Sequence, residues 1–180
     1  AETIIEGGNV SGRWTVEGHP YIVLDDITLP GNDTLIVDPG VNIVFQDTVD
    51  DGHLLSFYVS GHLSMIGTVD NNISITSSHF LFNGIRSFPN EEDSTASVHA
   101  EYLNVDNSYA AFGTLRGRYL IVRNCNFMVE GGIANPSCIR MIFENNVFSP
   151  IEPGHGPNLR LGASNREVNH YGQVTGNRGS

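Results

Sequence analysis

The sequence predicts an all-β fold of short strands wound as a solenoid, and three observations predict it. Between Pro20 and Phe45 lie four runs rich in Ile, Val, Leu and Thr, at Tyr21–Leu24, Ile27–Leu29, Thr34–Val37 and Val41–Phe45. The breaks between them, Asp25-Asp26, Pro30-Gly31-Asn32-Asp33 and Asp38-Pro39-Gly40, are turn residues. Gly and Asn tolerate positive φ, Pro fixes φ, and Asp bonds its own backbone. Strands this short and this close leave no room for crossover helices, so the chain must coil, sandwich or meander. The third observation is a repeat further along. Tyr102-Leu103-Asn104-Val105-Asp106-Asn107 aligns with Tyr119–Asn124 and with Arg140–Asn145. These offsets lie near the roughly 20 residues expected of one solenoid coil.

Trp14, Tyr21-Ile22-Val23, Thr34-Leu35-Ile36-Val37 and Asp38-Pro39-Gly40-Val41 carry a resemblance. Gly12–Trp14 through Phe45 resembles the opening turns of bacterial extracellular right-handed parallel β-helix proteins, the pectin-lyase-like architecture. The likeness continues more loosely through Gly61–Gly67 and Phe82–Arg86 to about Phe148. It implies a right-handed, single-stranded parallel β-helix of roughly six coils. It implies little about function, because that architecture hosts lyases, hydrolases, adhesins and surface repeats alike.

Taken in order, residues 1–19 are expected to form the first, capping coil, with Thr3-Ile4-Ile5 and the stretch at Trp14 as strands. A cap is needed because an uncovered end exposes strand edges and core apolar groups. Residues 20–45 form the first full coils. The acidic turn Asp47–Gly52 leads to strands at Leu54–Val59, Leu63–Ile66 and Ile73–Ile75, which alternate apolar and small polar side chains. Ser87 to Ser97 is a charged surface loop. In the repeat, alternation stacks Leu103/Leu120/Met141 and Val105/Val122/Phe143 inward, with Phe127 and Phe148 continuing the stack. Asn107, Asn124 and Asn145 are expected to form a ladder at a bend, and Asp106, Arg123 and Glu144 an outer row of alternating sign. The β-helix thus spans 1–148. Residues 149–180, rich in Gly, Asn, Pro and Ser, form an irregular segment that is either a last coil or a tail held by a neighbouring subunit.

The charge is uneven. Residues 1–106 hold 2 Arg against 16 acidic residues, a net −14, and residues 107–180 hold 7 Arg against 4 Glu, a net +3, together the −11 of the chain. There is no Lys. A net-acidic surface argues against nucleic acid as a partner. No run of 18 apolar residues exists, so membrane insertion is not expected. The chain begins at Ala1 without a signal sequence, which suits a processed, exported protein or a cut within a longer chain.

For chemistry, β-helix lyases need a base and a group that neutralises a uronate carboxylate. Lys is absent, and Tyr58, His62, His99, Tyr102 and Tyr109 are the residues that could pair as acid and base. Gly154-His155-Gly156 resembles one motif of the polygalacturonase group, whose hydrolysis needs paired Asp on preceding coils. No Asp follows Asp106, so the match is set aside. Asp47, Asp50 and Asp51 are candidate calcium ligands, since a hard cation takes several oxygens from a flexible turn. No other cofactor is expected. Cys125 and Cys138 read either as a disulfide of an exported protein or as two buried thiols.

The expected function is a non-enzymatic extracellular or cell-surface structural protein that associates with itself, head to tail into a filament. Thr3, Ile4 and Ile5 at one end and Leu159, Leu161 and Tyr171 at the other are the expected contacts. The alternatives are a carbohydrate-active β-helix enzyme, a lyase or hydrolase, and a glycan-binding adhesin module, both with a polysaccharide partner.

Overall fold

In the computed structural model the described residues are 1–46, 52–78, 81–87, 95–130, 138–149 and 151, together with the backbone of 133–134, 137, 159–160, 171–175 and 178–179. They are all strand, turn and bend. The chain visits three parallel sheets in rotation. β1 (Thr3–Ile5), β2 (Gly8–Asn9) and β3 (Gly12–Trp14) start the first, second and third sheets. β4 (Tyr21–Val23), β5 (Ile27–Leu29) and β6 (Thr34–Val37) add one strand to each, as do β7 (Asn42–Phe45), β8 (Ser56–Val59) and β9 (His62–Ile66). β10 (Ile73–Ser77), β11 (Gly84–Arg86) and β12 (Ser97–Glu101) follow in the same rotation.

Beyond β12 the second sheet thins. β13 (Leu103–Ser108) continues the first sheet and β14 (Arg116–Arg123) the third, while among the described residues the isolated bridges Phe82–Ser108 and Ile85–Phe112 continue the second on this turn. β15 (Asn126–Val129) and β18 (Val147–Ser149) extend the first sheet, and β17 (Ser137–Glu144) the third. β16 (Ile133–Ala134) pairs with β19 (Leu159–Arg160) alone. β20 (Tyr171–Thr175) closes the third sheet and β21 (Arg178–Gly179) the first. Every pairing is parallel, and the order fits a parallel β-helix solenoid. The segment beyond residue 148, expected to be irregular, therefore carries three short strands in register with β16, β17 and β18.

The reason for the winding is in the alternation. Along β5 to β7, Ile27, Leu29, Leu35, Val37, Ile43 and Phe45 are buried and the residues between them are not. Each strand then has one face to hide, and rows of like side chains cover it. Phe45 stacks on Phe82 with ring centroids 4.1 Å apart, and Phe127 lies 5.2 Å from Phe148. At the start of the solenoid Trp14 stacks on Tyr21 at 4.5 Å with rings 7° from parallel, and the Tyr21 hydroxyl accepts from the Thr15 N–H.

The register corrects the expected repeat. β14 and β17 do stack as expected, Tyr119 on Arg140 through Arg123 on Glu144. The 102–107 stretch is not their third rung. β13 belongs to the first sheet, where Leu103 lies on Ile73 and Val105 on Ile75 and Phe127. The rung below β14 is β12, with Val98 under Leu120 and Ala100 under Val122. The bend row is accordingly Tyr102, Asn124 and Asn145, all left-handed, with φ of 49°, 52° and 53°. Asn107 (φ 54°) sits at a different bend, where the β13–β15 register shifts and its Nδ2 donates to the Ser77 carbonyl. An amide contact between rungs does occur, on the outer face of the first sheet, where Asn126 Nδ2 donates to Asn104 Oδ1 at 2.9 Å. The expected loop also ends early, since Ser97 already opens β12.

Candidate functional site

The described residues offer two groupings of chemically active side chains. The first is at the bend between the first and second sheets. Asp25 and Asp26 leave β4, and His53, one turn of the solenoid higher, precedes β8. Their ligand atoms all lie within 4.8 Å of one another. Stacking of consecutive turns makes the cluster, because His53 Nε2 comes within 3.2 Å of Asp26 Oδ1. That same oxygen accepts from the Ser56 N–H at 2.7 Å, and an Asp25 oxygen accepts from the Asp26 N–H, so both carboxylates are oriented by backbone. Two carboxylates and an imidazole suit a borderline divalent cation such as zinc better than calcium, which prefers all-oxygen sets. The expected calcium ligands Asp47, Asp50 and Asp51 lie outside the described residues.

The second grouping is the outer face of the third sheet. Glu101, Arg123 and Glu144 stack on successive rungs. Arg123 Nε lies 2.7 Å from Glu144 Oε2 without the alignment of a hydrogen bond, and Arg123 is 3.5 Å from Glu101. His99 Nε2 meets Glu101 Oε1 at 2.7 Å. The outer row of alternating sign is thus real, with Glu101 in the place expected for Asp106, which lies on β13 in the first sheet and is exposed. The row ties neighbouring strand ends; its side chains are half-buried, and each such pair contributes about 1 kcal/mol or less.

Of the candidate acid and base residues, His62 and His99 share this face on neighbouring strands, His62 opposite Ser97 and His99 opposite Ser64. They are diagonal neighbours, about 8 Å apart by strand geometry, too far for direct proton transfer. Tyr58 is on β8 in the second sheet, Tyr102 at the bend before β13, and Tyr109 just after β13. The structure does not gather these five into one constellation.

The cysteines are not joined to one another. Cys138 stands opposite Gly117 at the start of β17, and Cys125 follows the far end of β14, so about a strand length separates them, beyond the 7 Å limit of a bridge. Both are buried, and desolvation pushes each thiol up to about 12. Cys125 Sγ also donates to the Arg123 carbonyl at 3.0 Å. Of the alternatives open in the sequence, the buried thiols are what the fold adopts.

Thr3–Ile5 pairs with β4 on one side only, since β1 is terminal in its sheet. Leu159 is paired with Ile133 and Tyr171 with Arg140, while Leu161 lies outside the described residues. No helix among the described residues is long and apolar enough to cross a membrane. No protein-family model, curated protein or solved structure matches the chain.

Proposed function

We propose that the protein is an extracellular or cell-surface structural β-helix that assembles with copies of itself, head to tail. The coil is right-handed on this reading, because parallel strands joined by a crossover are right-handed in roughly 98% of cases. On this reading the eight strands of the first sheet are successive coils, against the six expected. The exported location rests on the opening resemblance through Phe45.

One observation carries the assembly. Among the described residues, nothing pairs with the outer edges of β1, β2 and β3, and β20 and β21 are likewise last in their sheets. All strands within a sheet run the same way, so the open edges at the two ends are complementary. A second copy placed end to end continues the same parallel ladders, and such a contact, being heterologous, repeats. Ile4 shows how the edge is disposed. Thr3 N–H and the Ile5 carbonyl bond inward, to the Pro20 carbonyl and the Leu24 N–H, which turns the Ile4 backbone outward, and its side chain is 45% exposed.

Ile4→Pro removes the outward N–H and leaves the inward bonds in place. Negative-stain imaging and mass photometry should show filaments or large oligomers for the natural chain and mostly monomers for Ile4→Pro, with similar melting temperatures. Monodisperse monomers of the natural chain, across salt and calcium concentrations, would sink the reading. The outer face of the third sheet, with its His, Tyr, Arg and Glu side chains, favours a glycan-binding module as the second reading. Retention on acidic glycans without product formation would support it over the lyase or hydrolase reading.

A further inference from the structure

At one corner of the molecule the alternation breaks toward water. Where β14 and β17 begin, Arg118 and Tyr119 on one strand and Ile139 and Arg140 on the other are all exposed, with Tyr119 opposite Arg140. Regular strands bury every second residue. Here the preceding Gly117 sits so close to the Ala96 carbonyl that a Cβ would collide with it, and the Arg118 N–H donates to that carbonyl at 2.7 Å. The strand entry is pinned by its backbone, and both side chains after it turn to water. Tyr119 is 47% and Ile139 53% exposed, large values for an aromatic and a branched aliphatic side chain.

Two guanidinium groups beside a Tyr ring and an Ile are a protein-contact set. Arg and aromatic residues dominate interface energetics, and the guanidinium fork takes a carboxylate through two hydrogen bonds. The partner they fit is acidic, and this chain supplies one. Its residues 1–106 carry a net −14, with Glu6, Glu17, Asp33 and Asp70 exposed. We infer that the corner formed by Arg118, Tyr119, Ile139 and Arg140 docks against the acidic amino-terminal half of a second copy. The contact joins the late strands of one copy to the early strands of the next, so it is heterologous and propagates. At a net charge of −11 copies repel in most orientations, and the corner selects the one that pairs unlike charges. This inference rests on the self-assembly reading and adds a flank contact to the strand edges.

The test compares the full chain with R118E/R140E and with Tyr119→Ser by mass photometry at fixed ionic strength, beside thermal unfolding followed by circular dichroism. Both variants should raise the concentration needed for assembly by about tenfold or more with unchanged melting temperature. R118E/R140E mixed with D33R/D70R should assemble again. Assembly by both variants at the natural concentration would overturn the flank contact and leave the edge reading standing. A natural chain that never assembles would overturn both. A lowered melting temperature in both R118E/R140E and Tyr119→Ser would assign the corner to packing within its own chain and overturn the inference as well.

Discussion

Tyr102 is the residue whose conformation costs most for its type. It takes the left-handed bend position that Asn124 and Asn145 take on the next two rungs. Asn adopts that region at small cost because its side chain bonds locally, whereas a Tyr Cβ crowds the following carbonyl. Its backbone is nonetheless held, accepting from Ile73 and donating to Arg123. Tyr102→Asn should therefore stabilise the fold by about 0.5–1 kcal/mol, read as a higher denaturant midpoint with an unchanged slope. The buried thiols make a second residue-scale prediction. Their folded pKa of about 12 exceeds the 9.0 of an ordinary thiol, so the folded chain keeps protons that the unfolded chain releases. Stability from this source is whole below about pH 9 and is lost as the pH rises toward about 12. Neither Cys125 nor Cys138 should react with a thiol reagent at pH 8 until denaturant is added, and fast labelling of the native protein would contradict their burial.

At the scale of the element, the third sheet is held by close backbone approach as much as by its inner side chains. Gly117 meets the Ala96 backbone where β14 passes β12, and Gly61 meets the Pro30 and Asp33 carbonyls just before β9; in the second sheet Gly84 meets the Ala110 carbonyl in the same manner. The nearest neighbour is a backbone carbonyl that cannot swing aside, so Gly117→Ala must push β14 off β12. A loss of about 2–4 kcal/mol is expected by chemical denaturation, as for other overpacked or strained sites. A change below about 0.5 kcal/mol would show that the strands part easily there. Gly117 was not singled out in the sequence, since nothing local separates a glycine needed for close approach from one needed for a turn. The Asp25–Asp26–His53 cluster escaped for a related reason. Asp25-Asp26 reads as a turn, and His53 falls between the Asp47–Gly52 turn and the strand from Leu54; only stacking of successive turns brings them together.

For the whole molecule, the assembly proposed through the edges of β1 to β3 makes Ile4→Pro the decisive substitution, with monomers of normal stability as its expected product. Trp14, the single tryptophan, stacks on Tyr21 in those first two turns and serves as a local reporter of their integrity. The sequence by itself determined most of the early strands, their turns and their faces. Period-two alternation assigns each side chain to core or solvent, and Gly, Asn, Asp and Pro mark bends through their own backbone preferences, both local properties. Tertiary structure alone decided which strand lies on which. The steps between rungs are unequal, from Thr3 under Tyr21 to Leu63 under Val98, because insertions such as that before β12 lengthen single turns without disturbing the ladder. Two stretches as alike as 102–107 and 119–124 therefore fall in different sheets, and Tyr102 takes the bend where Asn107 was expected. Strand partners are chosen by burying complete rows of apolar side chains across distant parts of the chain, and no local pattern records that choice.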